Sequence, residues 1–248
     1  MKDFKDKIAV VTGGGTGMGR ELVLQLAEEG CHVAMCDVIA ENMEETFELV
    51  TKQTPDVLVT KHICDVSDEE QVLRFKDEVL SQQETKTINL LFNNAGMGFG
   101  YKVHNMPEGA FEHHVGVHLF GTIYGMRYAL PIMKKQNFGR IINTISRNAE
   151  TDVEGTSAYA AAKAGIWSAT RVAAKENAEH DILINMIIPG PTNTSIWGKD
   201  MPHLQKPEAT FPTAKLLASL EKGGPSGKVY WDEKEYQMFN QNNSLLEK

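Results

Sequence analysis

The sequence predicts an α/β fold in which one parallel sheet is wound by helices on both faces. Short apolar runs rich in branched residues alternate with longer amphipathic stretches, the rhythm of repeated strand-helix units. A glycine-rich turn joins the first apolar run to the first amphipathic stretch, and no repeat, linker or low-complexity tract divides the 248 residues into compositional halves. One domain over residues 1–248 is therefore expected, a common size for an α/β domain.

Taken in order, the strands are expected at Ile8 to Thr12, His32 to Asp37, Val57 to Ile63, Asn89 to Asn93, Arg140 to Ile145, Ile182 to Ile187 and Lys228 to Trp231. The helices fall between them, at Gly17 to Glu29, Ala40 to Lys52, Asp68 to Gln82, Glu108 to Gln136, Ser157 to Ala178 and Thr213 to Glu221. Ser67 ahead of Asp68, Glu69 and Glu70 reads as an N-cap with an acidic first turn facing the positive end of the helix dipole. Residues 189–212 break the rhythm, with five prolines, Trp197 and little periodicity, as a substrate loop would. Residues 240–248 read as a flexible tail.

A net charge of −8 leaves no basic stripe to neutralise a phosphate backbone, which speaks against nucleic acid as a partner. Cys31, Cys36 and Cys64 are odd in number and lack a Cys-x-x-Cys spacing, so reduced, buried thiols are expected and no metal site. Residues 1–7 run straight into a strand without an apolar signal region, and no stretch is apolar enough to span a bilayer. A cytoplasmic location away from membranes is expected.

Thr12 to Gly19 sits where the first strand hands over to the first helix, the place where a dinucleotide pyrophosphate meets backbone N–H groups. Within it Gly13, Thr16, Gly17, Met18 and Gly19 are the candidate cofactor contacts, in a Gly-x-x-x-Gly-x-Gly spacing rather than the general Gly-x-Gly-x-x-Gly. Asp37 ends the second strand, where a carboxylate accepts from adenosine ribose hydroxyls and repels a 2′-phosphate. Val38 follows it in place of a basic residue, which favours NAD over NADP, with Arg20 close enough to be weighed for a phosphate. Asp65 and Val66 offer a carboxylate and an N–H to the adenine edge, or a solvated turn. Asn93, Ala95 and Gly96 either run beside the cofactor ribose or, for the asparagine, bond neighbouring strands.

Tyr159 and Lys163 stand four residues apart, hence on one helix face, separated by three alanines. A lysine charge ~4 Å away at an effective dielectric of ~20 supplies about 4 kcal/mol, enough to lower a phenol pKa by roughly 3 units towards neutrality.

The glycine loop, Asn93-Asn94-Ala95-Gly96, Ser146 thirteen residues before Tyr159, Lys163, and Pro189-Gly190 resemble, in order and spacing, the short-chain dehydrogenase/reductase family from Lys5 to Trp231. The resemblance implies a doubly wound Rossmann-like domain with a seven-stranded parallel sheet, a nicotinamide cofactor and a homodimer or homotetramer. It makes Tyr159 the general acid/base and has Ser146 hold the substrate oxygen. Lys163 would hold the nicotinamide ribose and lower the tyrosine pKa, while Pro189, Gly190, Thr192 and Thr194 receive the nicotinamide carboxamide. His118 stands in a Val-His-Leu context where the family carries an asparagine of the proton relay; it can itself donate or accept a hydrogen bond in that relay, or be a satisfied core histidine. The expected activity is hydride transfer between NAD(H) and a secondary alcohol or ketone. The alternative is a catalytically weak NAD-binding sensor. Met97, Phe99, Tyr101 and Trp197 are candidate apolar contacts, and Arg147, Asn148, Glu150, Asp152 and Glu154 crowd the segment before Tyr159 as pocket or solvated loop.

Overall fold

A computed structural model describes residues 4–98 and 100–240. Phe99 and the tail from residue 241 onward lie outside the described residues. Eight strands form one sheet: β1 (Ile8–Thr12), β2 (His32–Asp37), β3 (Val59–Ile63), β4 (Leu90–Asn93), β5 (Gly139–Thr144), β6 (Ile182–Ile188), β7 (Val229–Trp231) and β8 (Lys234–Tyr236). Their order is β3-β2-β1-β4-β5-β6-β7-β8. The first seven pair in parallel. The expected seven-stranded parallel sheet thus gains an eighth, antiparallel strand, β8 on β7. Its hairpin turns through Asp232 and Glu233, both at positive φ (50° and 60°). That pair lacks the glycine that ordinarily marks such a turn in a sequence.

The helices are α1 (Gly17–Glu28), α2 (Ala40–Gln53), α3 (Glu69–Ser81), α4 (Ala110–Val115), α5 (Gly121–Gln136), α6 (Ser157–Glu176) and α7 (Phe211–Ser219). Every residue of β1, β4 and β6 is buried, as a sheet covered on both faces requires. Leu22, Leu26, Met43, Val50 and Leu217 of α1, α2 and α7 cover one face against Val11 and Phe92. Val72, Phe75, Met126 and Met133 of α3 and α5 cover the other against Val10 and Leu91. Among the described residues the three cysteines are free and buried.

Two further local readings are corrected. The cap of α3 is Asp68, not Ser67: the Asp68 carboxylate accepts from the N–H groups of Glu70 (2.9 Å) and Gln71 (3.1 Å). The stretch expected as one helix from Glu108 to Gln136 starts at Ala110 and is interrupted by a π-helical turn, Gly116–Phe120, between α4 and α5. Gly116 and Gly121 bracket that turn because Ser67 and Val66 press against it. A Cβ at Gly121 would lie 2.8 Å from Val66 Cγ2. Strand order reverses between β1 and β4, so the crevice outside the carboxyl ends of the strands opens there.

Candidate active site

The loop from Thr12 to Gly19 is stitched to its surroundings by backbone bonds. Thr12 Oγ1 accepts from the N–H groups of Asn94 and Ala95, both at 3.0 Å, and the Gly14 N–H donates to the Cys36 carbonyl at 3.0 Å. Gly13 has φ 68°, and a Cβ at Gly19 would fall 1.8 Å from the Gly13 carbonyl oxygen, so the loop closes only on glycine. Thr16 is the residue ahead of α1, which opens at Gly17 with no side-chain cap and no acid in its first turn. The free N–H groups of that helix end suit an anion. Met18 faces the cleft beyond.

At the end of β2 the Asp37 carboxylate is fixed by three backbone donors: Gly15 N–H (3.0 Å), Val38 N–H (2.8 Å) and Ile39 N–H (3.2 Å). Val38 itself is exposed and apolar. Arg20 is committed inside the protein, donating to the Gly15 carbonyl (3.1 and 2.8 Å), Thr46 Oγ1 (2.9 Å) and Glu45 (2.8 Å). Asp65 closes a turn instead of standing free, accepting from the Ser67 N–H (2.9 Å) and hydroxyl (2.7 Å), while Val66 is buried. Asn93 takes the strand-bridging role of its two readings: it is buried and donates to Asn143 Oδ1 at 2.8 Å. Asn94, which the sequence reading passed over, borders the cleft and donates to the Thr12 carbonyl at 3.1 Å. Gly96 also borders it, whereas Ala95 meets Thr12 through its backbone.

Ser146, Tyr159, Lys163 and His118 meet in one cleft of about 510 Å³. Ser146 follows β5 and shares a hydrogen bond with the Tyr159 phenol. Lys163 is 3% exposed, and its Nζ donates to the Thr144 carbonyl at 2.7 Å, 5.5 Å from the Tyr159 ring centre. Burial lowers its pKa to about 7. Burial also pushes the Tyr159 phenol up, with the Ser146 bond pulling the other way. The expected lowering of the phenol by Lys163 is therefore corrected: with the lysine held on a carbonyl and desolvated, both groups lean to their neutral forms.

The His118 ring lies edge-on to Tyr159, centroids 4.9 Å apart and planes at 89°. Its Nε2 meets the Met97 backbone N–H at 3.4 Å and carbonyl at 3.3 Å, and its Nδ1 is buried with no partner among the described residues. Burial, then the charge of Lys163, hold His118 well below its usual pKa, so it is neutral. The π-helical turn, invisible to a 3.6-residue periodicity, is what delivers this ring to the site.

The segment from residue 189 supplies the opposite wall. Pro189, Gly190, Thr192 and Thr194 all line the cleft, with Thr192 Oγ1 on the Gly190 carbonyl (3.2 Å) and Trp197 Nε1 on the Thr192 carbonyl (2.7 Å). Arg147, Asn148, Thr151, Ile188 and, from β7, Trp231 complete it. The acids before Tyr159 turn elsewhere: Glu150 accepts from the Tyr236 hydroxyl (2.5 Å) and the Phe239 N–H, and Glu154 pairs with Lys102. Met97 touches the site through its backbone, and Tyr101 is exposed outside the wall. Trp231 was missed as a site residue because a three-residue strand carries no motif.

A dinucleotide fits these residues. The glycine cradle leaves no room for a Cβ, the α1 N-terminus is uncapped, and the orphaned His118 Nδ1 lies beside Gly96 at the inner end of the cleft.

Residues 7–205 match the family described as short chain dehydrogenase. Levodione reductase of Leifsonia aquatica is 34% identical over 195 residues, 78% of this chain and 71% of that protein. A solved structure of levodione reductase superposes with a TM-score of 0.85 at 28% identity, covering 92% of this chain and 96% of that one. An NAD+-bound xylitol dehydrogenase superposes at 0.83 and 25% identity, over 93% and 98% of the two chains. An NADPH-dependent reductase involved in bacilysin biosynthesis, 21% identical, shares the fold, with a TM-score of 0.82 over 92% and 96%.

Proposed function

This chain belongs to the short chain dehydrogenase family of oxidoreductases, and on that footing we propose that it is a single-domain enzyme transferring hydride between NAD(H) and a secondary alcohol or its ketone. The observation that carries the reading is the hydrogen bond between Ser146 and Tyr159 in a cleft where Lys163 is buried behind the phenol. Ser146 holds the substrate oxygen and Tyr159 takes or returns its proton. A hydroxyl flanked by a serine and a phenol is oriented by both, which fixes the carbinol carbon relative to the Pro189 to Thr194 wall. Lys163 has the Thr144 carbonyl to hold it in place and the buried side of Tyr159 to act upon. His118 positions the phenol through the ring contact.

NAD, when bound, supplies the hydride acceptor or donor. Gly13, Thr16, Gly17, Met18 and Gly19 would hold its phosphates, Asp37 its adenosine ribose, and Lys163 its nicotinamide ribose. Two features support NAD over NADP. Asp37 keeps a carboxylate where a 2′-phosphate would sit, and Arg20, the one nearby cation weighed for that phosphate, is bound to Glu45 and the Gly15 carbonyl. We place the enzyme in the cytoplasm as a homodimer or homotetramer acting on a small molecule.

A turnover screen of the purified protein tests this: NAD and NADP are each offered with a panel of secondary alcohols. Formation of NADH with at least one alcohol, faster with NAD than with NADP, is expected. Tight NAD binding with no turnover anywhere would favour the sensor reading instead.

A further inference from the structure

Resting on that reading, we infer that the substrate carries a carboxylate, and that Arg147 is the residue that binds it. No acidic side chain lines the active-site cleft among the described residues, although the whole chain has a net charge of −8. Arg147 lines it directly after Ser146, the residue that holds the reacting oxygen. Its guanidinium lies over the Trp231 ring, 5.1 Å from the centroid, so one face is covered by an apolar surface. No carboxylate pairs with it among the described residues within ion-pair distance. The nearest acid along the chain, Glu150, accepts from the Tyr236 hydroxyl and the Phe239 N–H. Tyr236 in turn accepts from Arg147, so Glu150 reaches the guanidinium only through that hydroxyl and not as a direct ion pair.

The remaining donors decide the ligand. Arg147 Nε is buried away from the cleft with no hydrogen-bond partner among the described residues, so the donors that a ligand can meet are the terminal nitrogens of the guanidinium. A planar guanidinium that lines the cleft, covered on one face by Trp231 and without an ion-pair partner among the described residues, matches a carboxylate, which accepts N–H bonds from a guanidinium in its plane. The cleft's other basic side chain, Lys163, is desolvated and committed to the Thr144 carbonyl, so it does not compete with Arg147 for an anion. Trp231 and Ile188 line the same cleft and offer apolar contact to the carbon chain that joins the carboxylate to the carbinol carbon. The substrate class is thus a hydroxycarboxylic acid, oxidised to the corresponding keto acid with its carboxylate unchanged.

The test sets 2-, 3- and 4-hydroxycarboxylates beside their methyl esters, with NAD, for the unsubstituted protein and for Arg147→Gln and Arg147→Lys. At least one acid should exceed its ester in kcat/KM by roughly 10- to 100-fold, the range for a hydrogen-bonded charge. Arg147→Gln should bring that acid down to the level of its ester, and Arg147→Lys should restore part of the preference. NAD affinity, measured in parallel, reports that the fold is intact. Equal rates on acid and ester, or an equal loss on both in Arg147→Gln, would overturn the assignment.

A binding measurement separates this inference from the proposed reaction. Butyrate and butyramide are titrated into the NAD complex while tryptophan fluorescence is followed, Trp231 being in contact with Arg147. Saturable butyrate binding, absent for butyramide and lost in Arg147→Gln, supports the carboxylate site even if no alcohol turns over. No difference between butyrate and butyramide contradicts it even if some neutral alcohol does.

Discussion

On the cofactor side of the cleft each hydrogen bond has a main-chain group on at least one side, whereas the substrate side is held by side chains that come from distant parts of the chain. Thr12, Gly14 and Gly15 meet Asn94, Cys36 and Asp37 through main-chain groups, and the shape depends on glycines that admit no Cβ. Across the cleft, Arg147 leans on Trp231 and Glu150 holds Tyr236. Backbone contacts dictate residue type tightly, so the first side carries a readable motif. Side-chain contacts across more than eighty residues tolerate many solutions, so the second side is where a scaffold acquires its own substrate.

Lys163 stands on the border and, among the residues around the phenol, should give the largest effects when changed. Lys163→Met should lower kcat by ~100-fold or more, the scale of positioned acid-base assistance. The same variant should be more stable without cofactor. Burial takes Lys163 from 10.5 in the unfolded chain to about 7 in the folded one. Below about pH 7 the amine is charged in both states and its desolvation penalty is complete. Between about 7 and 10.5 the unfolded chain binds the extra proton, so stability rises with pH and the penalty disappears. Thermal unfolding should therefore show Lys163→Met gaining most near pH 6, by about 5 kcal/mol at the most, and least near pH 10. A lower unfolding temperature near pH 6 would mean the Thr144 bond matters more than the buried charge.

Asp37 probes the cofactor side alone. Asp37→Ala should weaken NAD about 10-fold and narrow the gap to NADP, as read by fluorescence titration of both, while the acid-to-ester preference set by Arg147 stays the same. Tighter binding of NADP than NAD by the unsubstituted protein would overturn the cofactor assignment.

His118 should give the smallest change. It is neutral, so His118→Asn removes a ring contact and an unpartnered Nδ1 without removing a charge. A displaced pH-rate profile with kcat lowered less than about 10-fold is expected. An unchanged profile would return this histidine to a packing role.

The same contrast explains what was legible in the sequence. The parallel β-α order followed from alternating apolar runs, and Gly13 to Gly19, Asp37, Ser146, Tyr159 and Lys163 followed from motif spacing. The two roles open to Asn93 could not be separated in the sequence, because alternation along a strand end does not say which of two adjacent asparagines faces the sheet. The π-helical turn at His118 arises from tertiary pressure by Val66 and Ser67 on Gly121 and Gly116. Strand β8 depends on an Asp-Glu turn with two positive φ angles that neither residue favours. Arg147 was visible as one of a crowd of charges, and only the structure separates it from the acids that turn away.

The most direct measurement compares NADH formation by the unsubstituted protein and Tyr159→Phe, on the best alcohol substrate, at NAD concentrations that saturate both. The phenylalanine keeps the ring packed against His118 and removes only the hydroxyl. The account predicts a kcat at least ~1000-fold lower with NAD affinity unchanged. Equal rates for the two proteins would take Tyr159 out of the chemistry and contradict it.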